Sequence, residues 1–259
     1  MSTPFVARSA LVERANEWLQ PARFKDYCPN GLQVEGRGEV RSLVSGVTAS
    51  LALIHAAIDQ GADTILVHHG LFWRGQDGTL TGWMRERVAK LIEHNINLLA
   101  YHLPLDAHEK YGNNAQLALQ LRLQTVSTFG DQNLGHLGVN LDASSADNFT
   151  TKDLALRVSK ALGKEPVVIN PNPTRVLRRV AWCTGGAQSW FEDAIKAGAD
   201  AFMTGEISEP QAHLAKESGV AFLACGHHAT ERYGARALGT ALAQEFQIEH
   251  QFIDIDNPA

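Results

Sequence analysis

Ala57-Ile-Asp-Gln-Gly61-Ala-Asp63 returns as Ala194-Ile-Lys-Ala-Gly198-Ala-Asp200, a displacement of 137 residues. Around the first copy the chain reads as a strand over 42–48, a helix over 50–60 capped by Ser50 and closed by Gly61, and a strand over 64–67. That is a βαβ unit, which implies parallel strands and a right-handed crossover. The second copy also has a strand before its helix and another after it. In both halves a further helix and strand lead to His-x-x-x-acid, His102 to Asp106 and His227 to Glu231, now displaced by 125. The drop from 137 to 125 puts a net twelve extra residues in the first half, in the loop Trp73-Arg-Gly-Gln-Asp-Gly-Thr-Leu-Thr-Gly82. Gly-Ala-Asp is a common helix exit, so the shared order of elements carries the case for duplication. The expected fold is α/β, with two related halves about a pseudo-two-fold axis. The first half spans 1–125 with a bridging segment to about 175, and the second spans 176–259.

Leu11, Val12, Ala15, Trp18 and Leu19 fall at helical spacing before Pro21, so an amphipathic helix is expected near the start. Pro29-Asn30-Gly31 signals a tight turn. The bridging stretch contains candidate strands from Gly135 to Leu141 and from Pro166 to Asn170, and a helix opened by Thr150 or Thr151. The net charge of −5 gives no general reason to expect nucleic-acid binding, although a local basic patch escapes such a tally. Cys28, Cys183 and Cys225 form no C-x-x-C pair and are too few to staple a secreted scaffold, which suggests a reducing compartment. With no signal-peptide pattern at the N-terminus and no apolar run of about 20 residues, a cytoplasmic protein without a membrane partner is expected.

Three apolar runs stop at histidines: Thr64-Ile-Leu-Val-His68-His69, Asn97-Leu-Leu-Ala-Tyr-His102 and Ala221-Phe-Leu-Ala-Cys-Gly-His227-His228. Ligands of open α/β sheets gather beyond the carboxyl ends of strands, where His68, His69, Asp106 and His227 fall. His227 and Glu231, four apart, share one face of any helix that starts near His227. Imidazole with carboxylate suits zinc, manganese, iron or nickel, and the lack of paired thiolates argues against a closed structural zinc site. Three histidines and two carboxylates exceed one ion with open positions; they fit two divalent ions sharing a bridging carboxylate, in a site between the halves.

A lone strand histidine is more often packed than ligating, so the joint placement carries this reading. His102 and His228 each stand beside a better candidate and can orient a ligand instead. Glu206 occupies the repeat position of His69; it either lines the same cavity or is a capping or salt-bridged carboxylate. His55, His94, His108, His136, His213 and His250 read as surface or supporting residues. Cys225 reads as a small buried hydrophobe. Trp73, Trp83, Trp182 and Trp190 read as core and interface. Cys183-Thr-Gly-Gly-Ala-Gln-Ser189, between a strand and a helix, is a weak anion-binding signal. H-E-x-x-H, Walker A and G-x-G-x-x-G patterns are absent.

The chain resembles the Nif-three-like dinuclear metal-centre family, often named GTP cyclohydrolase I type 2 homologues, and especially its short bacterial members. Asn30-Gly-Leu-Gln-Val-Glu-Gly36, Val67-His-His-Gly70, His102-Leu-Pro-Leu-Asp-Ala-His108 with Gly112-Asn-Asn-Ala115, Thr204-Gly-Glu206 and Gly226-His-His-Ala-Thr-Glu-Arg232 carry the resemblance over essentially the whole chain. It implies two α/β domains, a two-metal site and a homohexameric ring, of dimers or trimers, around a central cavity. It also implies metal ligands at His68, His69, Asp106, His227 and Glu231, with Glu231 suited to bridging, and it sets His102 and His228 outside the ligand set. The expected function is a metal-dependent hydrolase acting on a small molecule, with His102 or Glu206 as proton-transfer groups. The rival expectation is a non-enzymatic metal-holding ring that serves as a binding or chaperone-like partner and contacts nucleic acid through its opening.

Overall fold

The repeated Gly-Ala-Asp proves to be a backbone clasp. In the computed structural model, which describes residues 4–142 and 148–259, Gly61 and Gly198 take positive φ (65° and 83°) and end their helices. Each Asp then reaches back to the start of the preceding strand. Asp63 Oδ2 accepts from the amides of Arg41 and Ser42, and Asp200 Oδ2 from those of Arg178 and Arg179. The other oxygen of each takes an arginine, Arg37 at 2.7 Å and Arg175 at 2.6 Å.

Two compact units result. Unit 1 comprises Met1–Gly112 and Gly234–Asp256, and unit 2 comprises Asn113–Tyr233 and Asn257–Ala259. Unit 1 runs through β1 (Val6–Ala7), α1 (Arg8–Leu19), β2 (Gly31–Val34), β3 (Glu39–Val40), β4 (Ser42–Thr48) and α2 (Leu51–Asp59). It continues through β5 (Thr64–His69), α3 (Gly82–Glu93), β6 (Asn97–Ala100) and α4 (Leu103–Ala107). After unit 2, α9 (His227–Phe246) leads back to β13 (Glu249–Phe252). The main sheet has the order β13-β4-β5-β6-β2. Strands β13, β4, β5 and β6 are parallel and β2 is antiparallel to β6. Alternation along the central strands feeds two cores. Val44, Ile65, Val67 and Leu98 pack with residues of α2 and α3, whereas Leu43, Leu66 and Leu99 pack with residues of α1 and the latter part of α9. Burial on both faces explains why these strands read as continuous apolar runs.

Unit 2 contains α5 (Asn113–Gln120), β7 (Leu123–Phe129), β8 (Gly135–Asn140), α6 (Thr151–Leu162), β9 (Val167–Ile169) and β10 (Val180–Trp182). There follow α7 (Phe191–Lys196), β11 (Ala201–Thr204), α8 (Glu209–Ser218) and β12 (Ala221–Ala224). Its sheet has the order β7-β8-β10-β11-β12-β9. The parallel trio β10-β11-β12 matches β4-β5-β6, and β9 lies antiparallel to β12 as β2 does to β6.

Three expectations need correction. The segment expected to bridge supplies β7, β8 and β9 to the second sheet and α6 to the core packed on it, and β13, expected with the second half, pairs in parallel with β4 of the first. Only the βαβ cores are repeated in the sequence, so the added edge strands carry no repeat signal. The displacement of 125 is also one too many for the backbone. Tyr101 bonds to Val67 O as Cys225 does to Thr204 O, and Asp106 to His102 O as Thr230 does to Gly226 O, which aligns β6 with β12 at 124. His227 and Glu231 therefore stand one residue beyond the backbone positions of His102 and Asp106, and the donors of the two units are not copies of one another.

Candidate metal centre

In unit 1 the donors lie at the carboxyl ends of β5 and β6. His68 is fully buried, and its Nδ1 lies 3.0 Å from Tyr101 O. A carbonyl only accepts, so Nδ1 carries the proton and Nε2 the lone pair. That Nε2 stands 3.5 Å from Asp106 Oδ1. Asp106 reaches this point because His102 precedes α4, whose early Pro104 suits a helix start. His69 Nδ1 is 3.2 Å from Thr48 Oγ1. His102 Nδ1 donates to Asp26 Oδ1 at 2.9 Å, and Asp26 Oδ2 accepts from Leu103 N and Asn30 Nδ2. One nitrogen from each of His68, His69 and His102 falls within a 4.8 Å group. The His68 ring centroid is 4.5 Å from that of His69 and 5.0 Å from that of His102.

Burial alone would raise the Asp26 pKa, but the bonds from His102 and Asn30, the His102 charge and the Leu103 amide outweigh it and hold the carboxyl well below the usual range. Burial, then the Asp26 and Asp106 charges, push the Cys28 thiol up to about 12. Tyr27 and Trp73 set their rings against His102 at 5.0 and 5.1 Å.

In unit 2 the donors gather where β11 and β12 end. His227 opens α9, and its Nδ1 is 2.6 Å from Glu206 Oε1 while Nε2 is 3.3 Å from Glu231 Oε2. Burial lowers the His227 pKa, yet the bonds and charges of Glu231 and then Glu206 raise it to about 9. The metal-free ring holds two protons that face two carboxylates, and Nε2 is the atom at which a divalent ion would replace one of them. The buried Glu231, 3% exposed, needs such positive charge. Gly185 makes room for it: a Cβ there would stand 2.2 Å from Glu231 Oε1, and the residue has φ +70°. The weak anion signal at 183–189 is thus a floor under carboxylates. Its amides at Thr184, Gly185 and Ala187 donate to Asn114 Oδ1, Thr230 Oγ1 and Thr204 Oγ1.

Each unit therefore presents imidazole and carboxylate oxygens in a pattern that fits first-row divalent ions. His68, His102 and His227 all have Nδ1 held by an oxygen acceptor, the arrangement that fixes a ligand's ring and tautomer. A family model described as Duf34/NIF3 (NGG1p interacting factor 3) matches residues 6–258. The chain belongs to the Duf34/NIF3 family. A Pseudomonas aeruginosa protein named GTP cyclohydrolase 1 type 2 homolog is 50% identical, covering 98% of this chain and 99% of its own. A relative of the same name from Neisseria meningitidis serogroup B is 53% identical over 94% and 96% of the two chains. Among solved structures, the protein ybgI, described as of unknown function, superposes with TM-score 0.92 at 44% identity, covering 98% and 100%. A Thermus thermophilus protein gives 0.86 at 31% identity with the same coverages.

In this Duf34/NIF3 chain the residues expected from the sequence come together as His68, His69, His102 and Asp106 in unit 1 and as Glu206, His227 and Glu231 in unit 2. Glu206 is salt-bridged to His227, and Cys225 is a core residue, 1% exposed. His228 is buried, its amide donating to Ala259 O. His213 lies on the surface against Glu209. Trp73, read as core or interface, instead stands beside His69 and His102. Asp26 and Thr48 escaped notice. The only sequence trace of Asp26 is its place just before the Pro-Asn-Gly turn.

Proposed function

We propose that this chain is a dinuclear metal-binding protein that acts as a cytoplasmic metal-dependent hydrolase, with His68, His69, Asp106, His227 and Glu231 together holding two divalent ions. The observation that carries it is the shared presentation of His68 and His227: Nδ1 is held by an acceptor, and Nε2 faces a carboxylate oxygen at 3.5 and 3.3 Å. The names of the relatives support a hydrolytic reading and make GTP the first substrate to test. When bound, a pair of divalent ions activates water and polarises a substrate oxygen. The protein's own part is to fix the donors and to place His102, whose Nδ1 proton is anchored on Asp26, to accept a proton at Nε2. Glu206 Oε1, 2.6 Å from His227 Nδ1, orients that ring. The family resemblance adds a homohexameric ring to this proposal. Among the described residues no helix is long and apolar enough to cross a membrane.

Metal analysis of purified protein is expected to give two ions per chain, with His69→Ala or Glu231→Ala removing at least one. Full occupancy in both variants rejects the ligand set. Asp106→Asn removes charge with little change of shape, and is expected to abolish metal-dependent turnover while preserving the circular dichroism spectrum. If a screen beginning with GTP shows no turnover above that control, the metal-holding ring replaces the hydrolase.

A further inference from the structure

The imidazole of His102 is built like those of the ligands. Its Nδ1–H is fixed by Asp26 at 2.9 Å, as His68 is fixed by Tyr101 O at 3.0 Å and His227 by Glu206 at 2.6 Å. The Asp26 side chain is 4% exposed and that of His102 is 9%. Asp26 is itself held by Tyr27 N, Asn30 Nδ2 and Leu103 N, so it is not a surface carboxylate that happened to find a histidine. Asn30 Oδ1 also accepts from the His102 amide at 2.7 Å, which fixes the backbone from which the ring projects. This support fixes both the tautomer and the direction of the ring, as it does for a ligating histidine.

The three rings stand close enough to share an ion. Their centroids are 4.5, 5.0 and 5.7 Å apart, and one ring nitrogen of each lies within 4.8 Å of one from each of the others. The neutral tautomers of His68 and His102 both leave Nε2 as the donor, and the Thr48 hydroxyl can accept from His69 Nδ1 to give the same result. Three imidazoles with an open fourth position form a complete first-row metal site without any carboxylate.

We infer that His68, His69 and His102 form a three-imidazole cation site held by unit 1 alone, with Asp26 as the residue that positions His102. It takes a borderline divalent ion such as zinc or cobalt in preference to magnesium or calcium, which seek oxygen ligands. The site shares His68 and His69 with the dinuclear centre proposed above but needs no donor from unit 2. It therefore supplies a place where an ion is held before the full set is loaded, in a state in which His102 Nε2 is a ligand and not yet a proton acceptor.

The test uses the full chain carrying His227→Ala and Glu231→Ala, which deletes the unit 2 donors. Titration with zinc is expected to give one ion per chain. Adding His102→Ala is expected to weaken that binding by tenfold or more, and adding Asp26→Asn to weaken it by roughly 10–100-fold, the usual effect of losing a carboxylate behind a ligating histidine. X-ray absorption of the zinc-loaded double variant is expected to count three imidazoles, a reading that needs no further substitution. No zinc bound by the double variant, unchanged affinity after His102→Ala, or two imidazoles at the metal overturns the inference. So does a thiolate-to-metal band with cobalt, which would assign His102 to Cys28 and Asp26 instead. Two ions per chain in the unmodified protein tests the dinuclear reading separately.

Discussion

At the scale of single residues, the proposed centre depends on groups that stand behind its candidate donors. Glu206 holds His227 by a 2.6 Å bond, so Glu206→Gln keeps the shape but weakens the charge that fixes the ring. Metal affinity at His227 is expected to fall roughly 10–100-fold, read by competition with a chromogenic chelator. Gly185→Ala attacks the same place from the backbone. The left-handed conformation costs an L-residue about 1–2 kcal/mol, and the new methyl would displace the Glu231 carboxylate. Lower thermal stability together with loss of an ion is expected; a stable variant with full metal content would show that Glu231 has room to move. These two roles also mark the limit of sequence reading. His227 and Glu231 announce themselves by i,i+4 spacing, while Gly185 meets them only through folding. Asp26 and His102 are likewise 76 positions apart and share no pattern.

At the scale of elements, the clasp between each helix exit and the strand before it is the strongest local determinant. Asp63 is 5% exposed and satisfies two backbone amides and Arg37. Asp63→Ala leaves those amides buried without their acceptor, a loss of about 3 kcal/mol, seen as a lower urea midpoint. Asp200→Ala is expected to behave alike, because Arg175, Arg178 and Arg179 repeat the arrangement. A urea midpoint unchanged from the parent in either variant would reduce the repeat to coincidence. The elements themselves were largely legible. Ser50 accepts from Leu53 N at the start of α2, Thr150 with Asp153 forms a capping box for α6, and α1 ends before Pro21. The edge strand β13 was less so, because it is short and lacks a buried alternation, whereas β9 lies within the strand expected from Pro166 to Asn170. The one-residue slip between His102 and His227 arose because both halves carry His-x-x-x-acid, so the motif aligned more readily than the backbone.

At the scale of the whole molecule, pH acts on stability through histidines of opposite sign. Burial lowers the His136 pKa from 6.5 to about 4. As pH falls below about 6.5 the unfolded chain binds a proton that the folded one refuses, so stability is lost progressively down to about pH 4. The loss reaches about 3 kcal/mol. His250, lowered to about 4 by burial and Arg236, acts in the same direction with more solvent around it. His227 does the reverse in metal-free protein: raised to about 9, it contributes fully below about 6.5 and loses that contribution as pH rises through 9. Denaturation across pH, with and without chelator, is expected to show acid sensitivity in both samples and alkaline sensitivity mainly in the chelated one. Identical alkaline limbs would remove His227 from that account.

The clasps and the donors occupy opposite ends of the same strands. Asp63 comes just before β5 and His69 closes it, a separation of about 20 Å for six residues in extended chain. The framework that sets strand register therefore does not depend on which side chain terminates the strand, and the duplicated halves already illustrate this, with His69 in one and Glu206 at the equivalent place in the other. The strand tips are in that sense a socket: new donor chemistry can be installed there by exchange of one or two residues, while the part that keeps the protein folded stays untouched.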